Sequence, residues 1–222
     1  MKKSARVAGA LFLVSTGAYM LGSGLLNPVL HRPDFLSNLY TDRTNVMLGW
    51  FLEWINAMAV LGIAMLLYPI LKRHNEAFAL GYFGSRVIES VLLILSAIGP
   101  FVLIALSHDY ISMSTDQGPA MEWLGQIVLD LRAVLFQTAM LVLSLGSLLL
   151  CHVLYRARLI PRLLSVIGFI GYTALLANSC LAILGYETGS VLYIPGAVFE
   201  IAFPVWLLVK GFDVRILKSS TE

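Results

Sequence analysis

Residues 78–106 read FALGYFGSRVIESVLLILSAIGPFVLIAL, an apolar run whose charged members are Arg86 and Glu89. About 20 apolar residues are enough for an α-helix to cross the hydrocarbon core of a bilayer. This run is longer, so we interpret it as a tilted membrane-spanning helix. The two charges stand three positions apart, which places them on one face of that helix.

The rest of the chain has the same apolar character. Of its 222 residues 59% are hydrophobic and 13% charged, and the mean hydropathy is +0.84. Soluble domains are about 45–50% apolar and about 25% charged, so lipid must solvate much of this surface. We therefore predict an all-α, polytopic bundle of six transmembrane helices that forms a single domain over residues 1–222. Its spans are predicted at about 7–26, 46–71, 78–106, 120–150, 163–184 and 191–209.

The loop charges predict the orientation of this bundle. One side carries eleven Lys and Arg residues, and the other carries Arg32 and Arg43. Basic loops stay in the cytoplasm, so we expect both termini there and a multi-pass protein of the inner (plasma) membrane. The lipid bilayer is the expected partner, and nothing in the charge pattern indicates nucleic acid. The eleven basic residues are Lys2, Lys3, Arg6, Lys72, Arg73, Arg156, Arg158, Arg162, Lys210, Arg215 and Lys218, and the acids predicted opposite them are Asp34, Asp42, Asp109, Asp116 and Glu187.

Six charges fall well inside the predicted spans, away from the span ends. A charge at the bilayer centre costs about 2.5–3.5 kcal/mol on insertion scales, so we expect these groups to face inward and pair. Arg86 should pair with Glu89, or with Asp130 or Glu200 of another helix. Asp130 and Arg132 are two positions apart and cannot pair with each other. The candidate ligand- or ion-binding residues are Glu53, Asn56, Arg86, Glu89, Asp130, Arg132 and Glu200.

Four acids against two bases leave an excess of negative charge. Either some carboxyls hold a proton, or the site takes up a cation or a basic ligand. Three functions stay open: binding or moving a small solute, ion or proton; a structural or regulatory role in which the charges only fix helix packing; and an intramembrane enzyme acting on lipid. No zinc-binding His spacing and no nucleophile elbow occurs. We therefore predict no catalytic residue, metal or cofactor and favour a non-enzymatic role, with the oligomeric state left open.

Several stretches carry a resemblance to a known family: residues 5–9 (ARVAG), 53–57 (EWINA), 68–76 (YPILKRHNE), 79–82 (ALGY), 86–89 (RVIE), 195–196 (PG), 199–200 (FE) and 206–207 (WL). Together they resemble a bacterial membrane family named domain of unknown function 4386 (DUF4386). The resemblance covers most of the chain. It implies a six-span bacterial inner-membrane protein, and it brings no established activity or catalytic residues.

Overall fold

The computed structural model describes residues 2–112, 118–186 and 191–212. Asp116, Glu187, Arg215 and Lys218, which entered the count of loop charges, lie outside the described residues. Within the described ranges the chain is helical and has no strand. Its helices are α1 (Lys2–Leu30), α2 (Phe35–Leu39), α3 (Arg43–Leu71), α4 (Glu76–Ser112), α5 (Gly118–Arg156), α6 (Arg162–Ile183) and α7 (Ile194–Val209), and a 3₁₀ turn at Val191–Tyr193 precedes α7.

Six of these helices are long and apolar enough to cross a membrane, which confirms the predicted all-α architecture. Several extend past the predicted spans: α1 continues to Leu30, and α5 continues to Arg156. Hydropathy marks only the part of a helix that lipid can solvate, whereas backbone hydrogen bonding continues into polar sequence. The short helix α2 lies between the first two predicted spans, where no helix was predicted.

The six long helices form a closed ring. Each packs against the next one along the chain, and α7 returns to pack against α1. One end of the ring holds the start of α1, the α3–α4 and α5–α6 turns and the end of α7, and we call it the terminal end. Ala5, Leu71, Ala79, Leu159 and Phe212 share one buried cluster there. We call the opposite end distal; that the terminal end faces the cytoplasm stays a prediction.

Small residues let neighbouring helices approach closely. A Cβ placed on Gly171 of α6 would lie 2.7 Å from the Cα of Gly196 in α7. A Cβ on Gly9 of α1 would lie 2.8 Å from the carbonyl oxygen of Pro204, also in α7. Backbone contacts this short need glycine, as in other membrane helix pairs. They fix how α7 closes the ring and therefore where its Glu200 points.

The helix α2 covers part of the distal end. The buried Ser107 of α4 donates a hydrogen bond to the carbonyl oxygen of Leu36 at 2.5 Å and accepts one from the amide of Tyr40 at 3.0 Å. Leu36 and Leu39 are buried against the neighbouring helices. These contacts attach α2 to α4, so the polar groups inside the ring lie beneath an ordered surface on that side.

Candidate functional site

Arg86 and Glu89 form an ion pair deep inside the ring. The Nη1 of Arg86 donates to both carboxylate oxygens of Glu89, at 3.1 and 3.0 Å. The two residues are only 3% and 2% exposed. The guanidinium also lies over the rings of Tyr82 and Phe12, at 5.4 and 5.9 Å from their centroids. The structure thus brings together the pair that the spacing along the helix indicated.

This pair lies within one helix and leaves donors unused. Its contact with α5 is a long hydrogen bond of 3.5 Å from Nη2 of Arg86 to Ser147 Oγ. Within the described residues, the buried Nε of Arg86 and the buried hydroxyl of Tyr82 have no hydrogen-bond partner. An intrahelical pair neutralises charge without joining two helices. The Arg86–Glu89 pair is therefore poorly suited to be a lock between helices.

Glu200 of α7 is the third acid of this region. The hydroxyl of Tyr172 in α6 donates to its Oε1 at 3.5 Å. In the part of the chain that the structure describes, no base lies within ion-pair distance of Glu200. Arg86 and Glu89 are within electrostatic range of it. Because Arg86 is already paired with Glu89, Glu200 is the acid whose negative charge is not fully balanced by a base.

A second ion pair joins α3 to α5. The guanidinium of Arg132 donates to both oxygens of Glu53, at 2.5 and 3.0 Å, in a bidentate arrangement. Arg132 also donates to the backbone carbonyl of Ser96 at 3.0 Å, and Ser96 Oγ donates to the carbonyl of Arg132 at 3.1 Å. The two side chains are 15% and 13% exposed. Unlike the first pair, this one connects three neighbouring helices.

A cavity of about 250 Å³ ends at the second ion pair. Besides Glu53 and Arg132, its wall carries polar side chains that follow α1 towards the distal end. The ring of Tyr19 stacks on Phe136 of α5 across the ring of helices, with 5.7 Å between centroids. The cavity therefore leads from the distal end to a charged pair. Its polar lining consists of Tyr19, Ser23 and Asn27 of α1 and of His31, which directly follows α1.

Along the bundle axis, polar side chains also lie at a depth between the two ion pairs. The hydroxyl of Ser15 in α1 donates to the Asn56 side-chain oxygen at 2.6 Å. At about 1.5 Å per residue, Arg86 lies about 15 Å, Asn56 about 22 Å and Glu53 about 27 Å from the terminal ends of their helices. These groups follow one another along the bundle axis. We call this series of side chains the polar file: Glu53 with Arg132, Asn56 with Ser15, and Arg86 with Glu89 and Glu200.

Asp130 does not belong to the polar file, and the expectation that it faces inward was wrong. It lies on the exposed outer surface of α5, where it accepts a hydrogen bond from Gln126 Nε2 at 2.9 Å. Two positions along a helix differ by about 200°, so once Arg132 turns inward to Glu53, Asp130 must point outward. The interior of the described structure therefore holds three acids and two bases, an excess of one negative charge if all ionise.

One family model, described as a domain of unknown function (DUF4386), matches residues 7–211. The chain belongs to the DUF4386 family. No curated protein matches it, and no solved structure does. The match runs from the first span to the end of the last, so the DUF4386 region includes the whole polar file. Within the described residues of this DUF4386 chain, no three His, Cys, Asp or Glu side chains come together as metal ligands would.

Three residues of the site escaped sequence reasoning: Ser15, Tyr19 and Tyr172. A lone hydroxyl in an apolar span is common, because it can bond to the backbone of its own helix. Their importance comes from partners on other helices, and the sequence carries no local signal of those partners. Charged residues stood out, since lipid makes them costly, and Asn56 stood out because it shares a helix face with Glu53.

Proposed function

We propose that this protein binds a proton or a small cation in its core, with Glu200 as the binding carboxylate, and moves it across the membrane by way of the polar file. The observation that carries the proposal is the charge balance around Glu200. Arg86 is held by Glu89 and Arg132 by Glu53, and the hydrogen bond that the described residues give Glu200 comes from the Tyr172 hydroxyl.

The physical argument concerns the cost of an isolated charge. Glu200 is half-buried, and an ionised carboxylate that has lost part of its hydration is unfavourable unless it meets a counter-charge or gives up its own charge by taking a proton. A bound proton or small cation would neutralise the negative charge of Glu200. An anion would add to the existing negative excess, so it fits this region poorly.

The polar file supports exchange with the distal side. The cavity of about 250 Å³ gives access to Glu53 and Arg132. Below it, Asn56 and Ser15 offer oxygen atoms and a hydroxyl at an intermediate depth. A proton or a partly dehydrated cation can interact with each of these groups in turn, whereas the apolar walls of the ring offer it none.

The test is ion flux into liposomes that contain the purified protein. A pH-sensitive dye and a Na⁺-sensitive dye report uptake after a membrane potential is imposed with K⁺ and valinomycin. We expect flux in the wild type, its loss in Glu200→Gln, and its retention in Asp130→Asn. The last variant is the matched control, because it removes a carboxylate of α5 that lies outside the file. Wild-type flux equal to empty liposomes, or undiminished flux in Glu200→Gln, would refute the proposal.

A structural role is the second candidate, and the Glu53–Arg132 pair favours it. This pair is bidentate and bridges α3 and α5, as a helix lock should. The reversed pair, Glu53→Arg with Arg132→Glu, separates the two functions. If the variant with the reversed pair has wild-type thermal stability and wild-type ion flux, the pair serves packing. If this variant has wild-type thermal stability but no ion flux, the pair lies on the ion path.

A further inference from the structure

A large apolar groove lies on the outer surface of the ring, between α3 and α4 near the distal end. Its volume is about 810 Å³, within the range of about 300–1,000 Å³ found for small-molecule sites. Trp50 and Phe101 meet in the groove with 5.7 Å between ring centroids. Met47 and Phe51 extend the same wall and are 39% and 56% exposed. The groove faces away from the polar file and is open to lipid.

The distal rim of the groove carries charges of both signs. Arg43 is exposed, and its guanidinium stacks on the ring of Tyr40 at 4.7 Å. Within the described residues, no acid lies within ion-pair distance of Arg43. Asp109 lies on the same rim beside His108, whose Nδ1 is 3.3 Å from Asp109 Oδ1. More than half of each of these two side chains is exposed.

The arrangement matches a particular class of lipid. A guanidinium recognises phosphate through charge-assisted hydrogen bonds, and a carboxylate accepts hydrogen bonds from a primary ammonium. Arg43 and Asp109 thus offer one partner for each charge of a zwitterionic headgroup. Trp50 is an aromatic residue of the kind that is enriched at membrane interfaces, where headgroup and acyl chain meet.

We propose that this groove binds a phospholipid with an ethanolamine headgroup, in the leaflet at the distal end. An acyl chain lies along Met47, Phe51 and Phe101, the phosphate contacts Arg43, and the ammonium contacts Asp109. Charge complementarity distinguishes this occupant from others: phosphatidylglycerol lacks the ammonium, and phosphatidylcholine has one without N–H donors. The site does not depend on the function proposed for Glu200.

Native mass spectrometry of the purified protein tests the site. Phosphatidylethanolamine, phosphatidylcholine and phosphatidylglycerol with identical acyl chains are added at equal concentrations, and the bound fraction of each is measured. We expect the wild type to retain phosphatidylethanolamine most strongly. Arg43→Gln should weaken binding of all three lipids roughly tenfold, the effect of losing one hydrogen bond to a charged group. Asp109→Asn should remove the preference for ethanolamine and leave phosphatidylglycerol binding unchanged.

Two further variants keep the test decisive. Ala105→Trp fills the groove from α4 and should reduce binding of all three lipids. Arg32→Gln is the matched control, because Arg32 is also a distal arginine but pairs with Asp42 and does not line the groove. Equal retention of the three lipids by the wild type would mean ordinary lipid contact only and would overturn the proposal. Unchanged binding in Ala105→Trp would place the lipid elsewhere and overturn it too.

Discussion

The ion pair between Arg86 and Glu89 allows a quantitative test of the core. Three variants are compared with the wild type: Glu89→Leu, Arg86→Met and the double variant, each of which replaces a charged side chain with an apolar one of similar size. Arg86 is 3% exposed, and its next hydrogen bond is the 3.5 Å contact with Ser147. Once Glu89 is removed, the acid that the described residues leave near its charge is Glu200, which lies beyond ion-pair distance. Breaking a buried pair in this way costs about 3–5 kcal/mol.

The three variants should differ in a defined order. Glu89→Leu should be the least stable, because a guanidinium keeps its charge at any accessible pH. Arg86→Met should lose less, since the Glu89 carboxyl can take up a proton. The double variant should return to within about 1 kcal/mol of the wild type, because apolar replacements of a buried pair are often neutral or stabilising.

Unfolding in detergent, followed by far-ultraviolet circular dichroism, measures these differences. A loss of 3–5 kcal/mol corresponds to between about two and four powers of ten in the folding equilibrium. If Glu89→Leu were as stable as the wild type, Arg86 could not be buried beside Glu89 as described. If the double variant were as unstable as Glu89→Leu, the pair would contribute more than neutralisation of charge. Ion flux in a stable double variant then reports whether the pair also serves transport.

Three further predictions concern packing, pH and the distal surface. Gly171→Ala should cost about 1–3 kcal/mol, because its Cβ would meet the backbone of α7 at 2.7 Å. Gly84→Ala is the control: its Cβ would meet nothing within 4 Å, so the variant should be neutral or stabilising. Thermal melting compares the stability of the two variants. Burial and the neighbouring Arg73 hold the pKa of His74 below its ordinary 6.5. As the pH falls, the unfolded chain therefore binds a proton at this histidine before the folded protein does, and stability falls as the pH drops through about 6.5. His74→Asn should therefore lose less stability than the wild type between pH 7 and pH 5. Ser107→Ala should cost about 1–3 kcal/mol and speed amide exchange in α2, because it leaves a buried carbonyl unsatisfied.

The sequence predicted the features that lipid or a single helix imposes. The six spans were visible because each must supply about 20 apolar residues. The Arg86–Glu89 pair was visible because residues three apart share a helix face. The presence of charged groups inside the spans was likewise plain from their positions alone.

The partners of the other polar groups came from tertiary structure. Glu53 and Arg132 are 79 positions apart, and their pairing depends on how α3 and α5 are rotated about their own axes. The same rotation turns Asp130 to the outside, so the interior holds three acids and two bases instead of the predicted four acids and two bases. Hydropathy is insensitive to such rotation when a span is apolar on nearly every side, so it could not separate the inward acid from the outward one.

By itself, then, the sequence determined that the chain forms six helices apolar and long enough to cross a membrane and that charges lie within them, because water and lipid act on each segment independently. Only the tertiary structure decided which charges meet. The close glycine contacts that close the ring bring Glu200 beside Tyr172, and among the described residues no base lies within ion-pair distance of it. The physical reason is that a helix's position along the bilayer normal is fixed by its own hydropathy, whereas its rotation is fixed by packing against its neighbours.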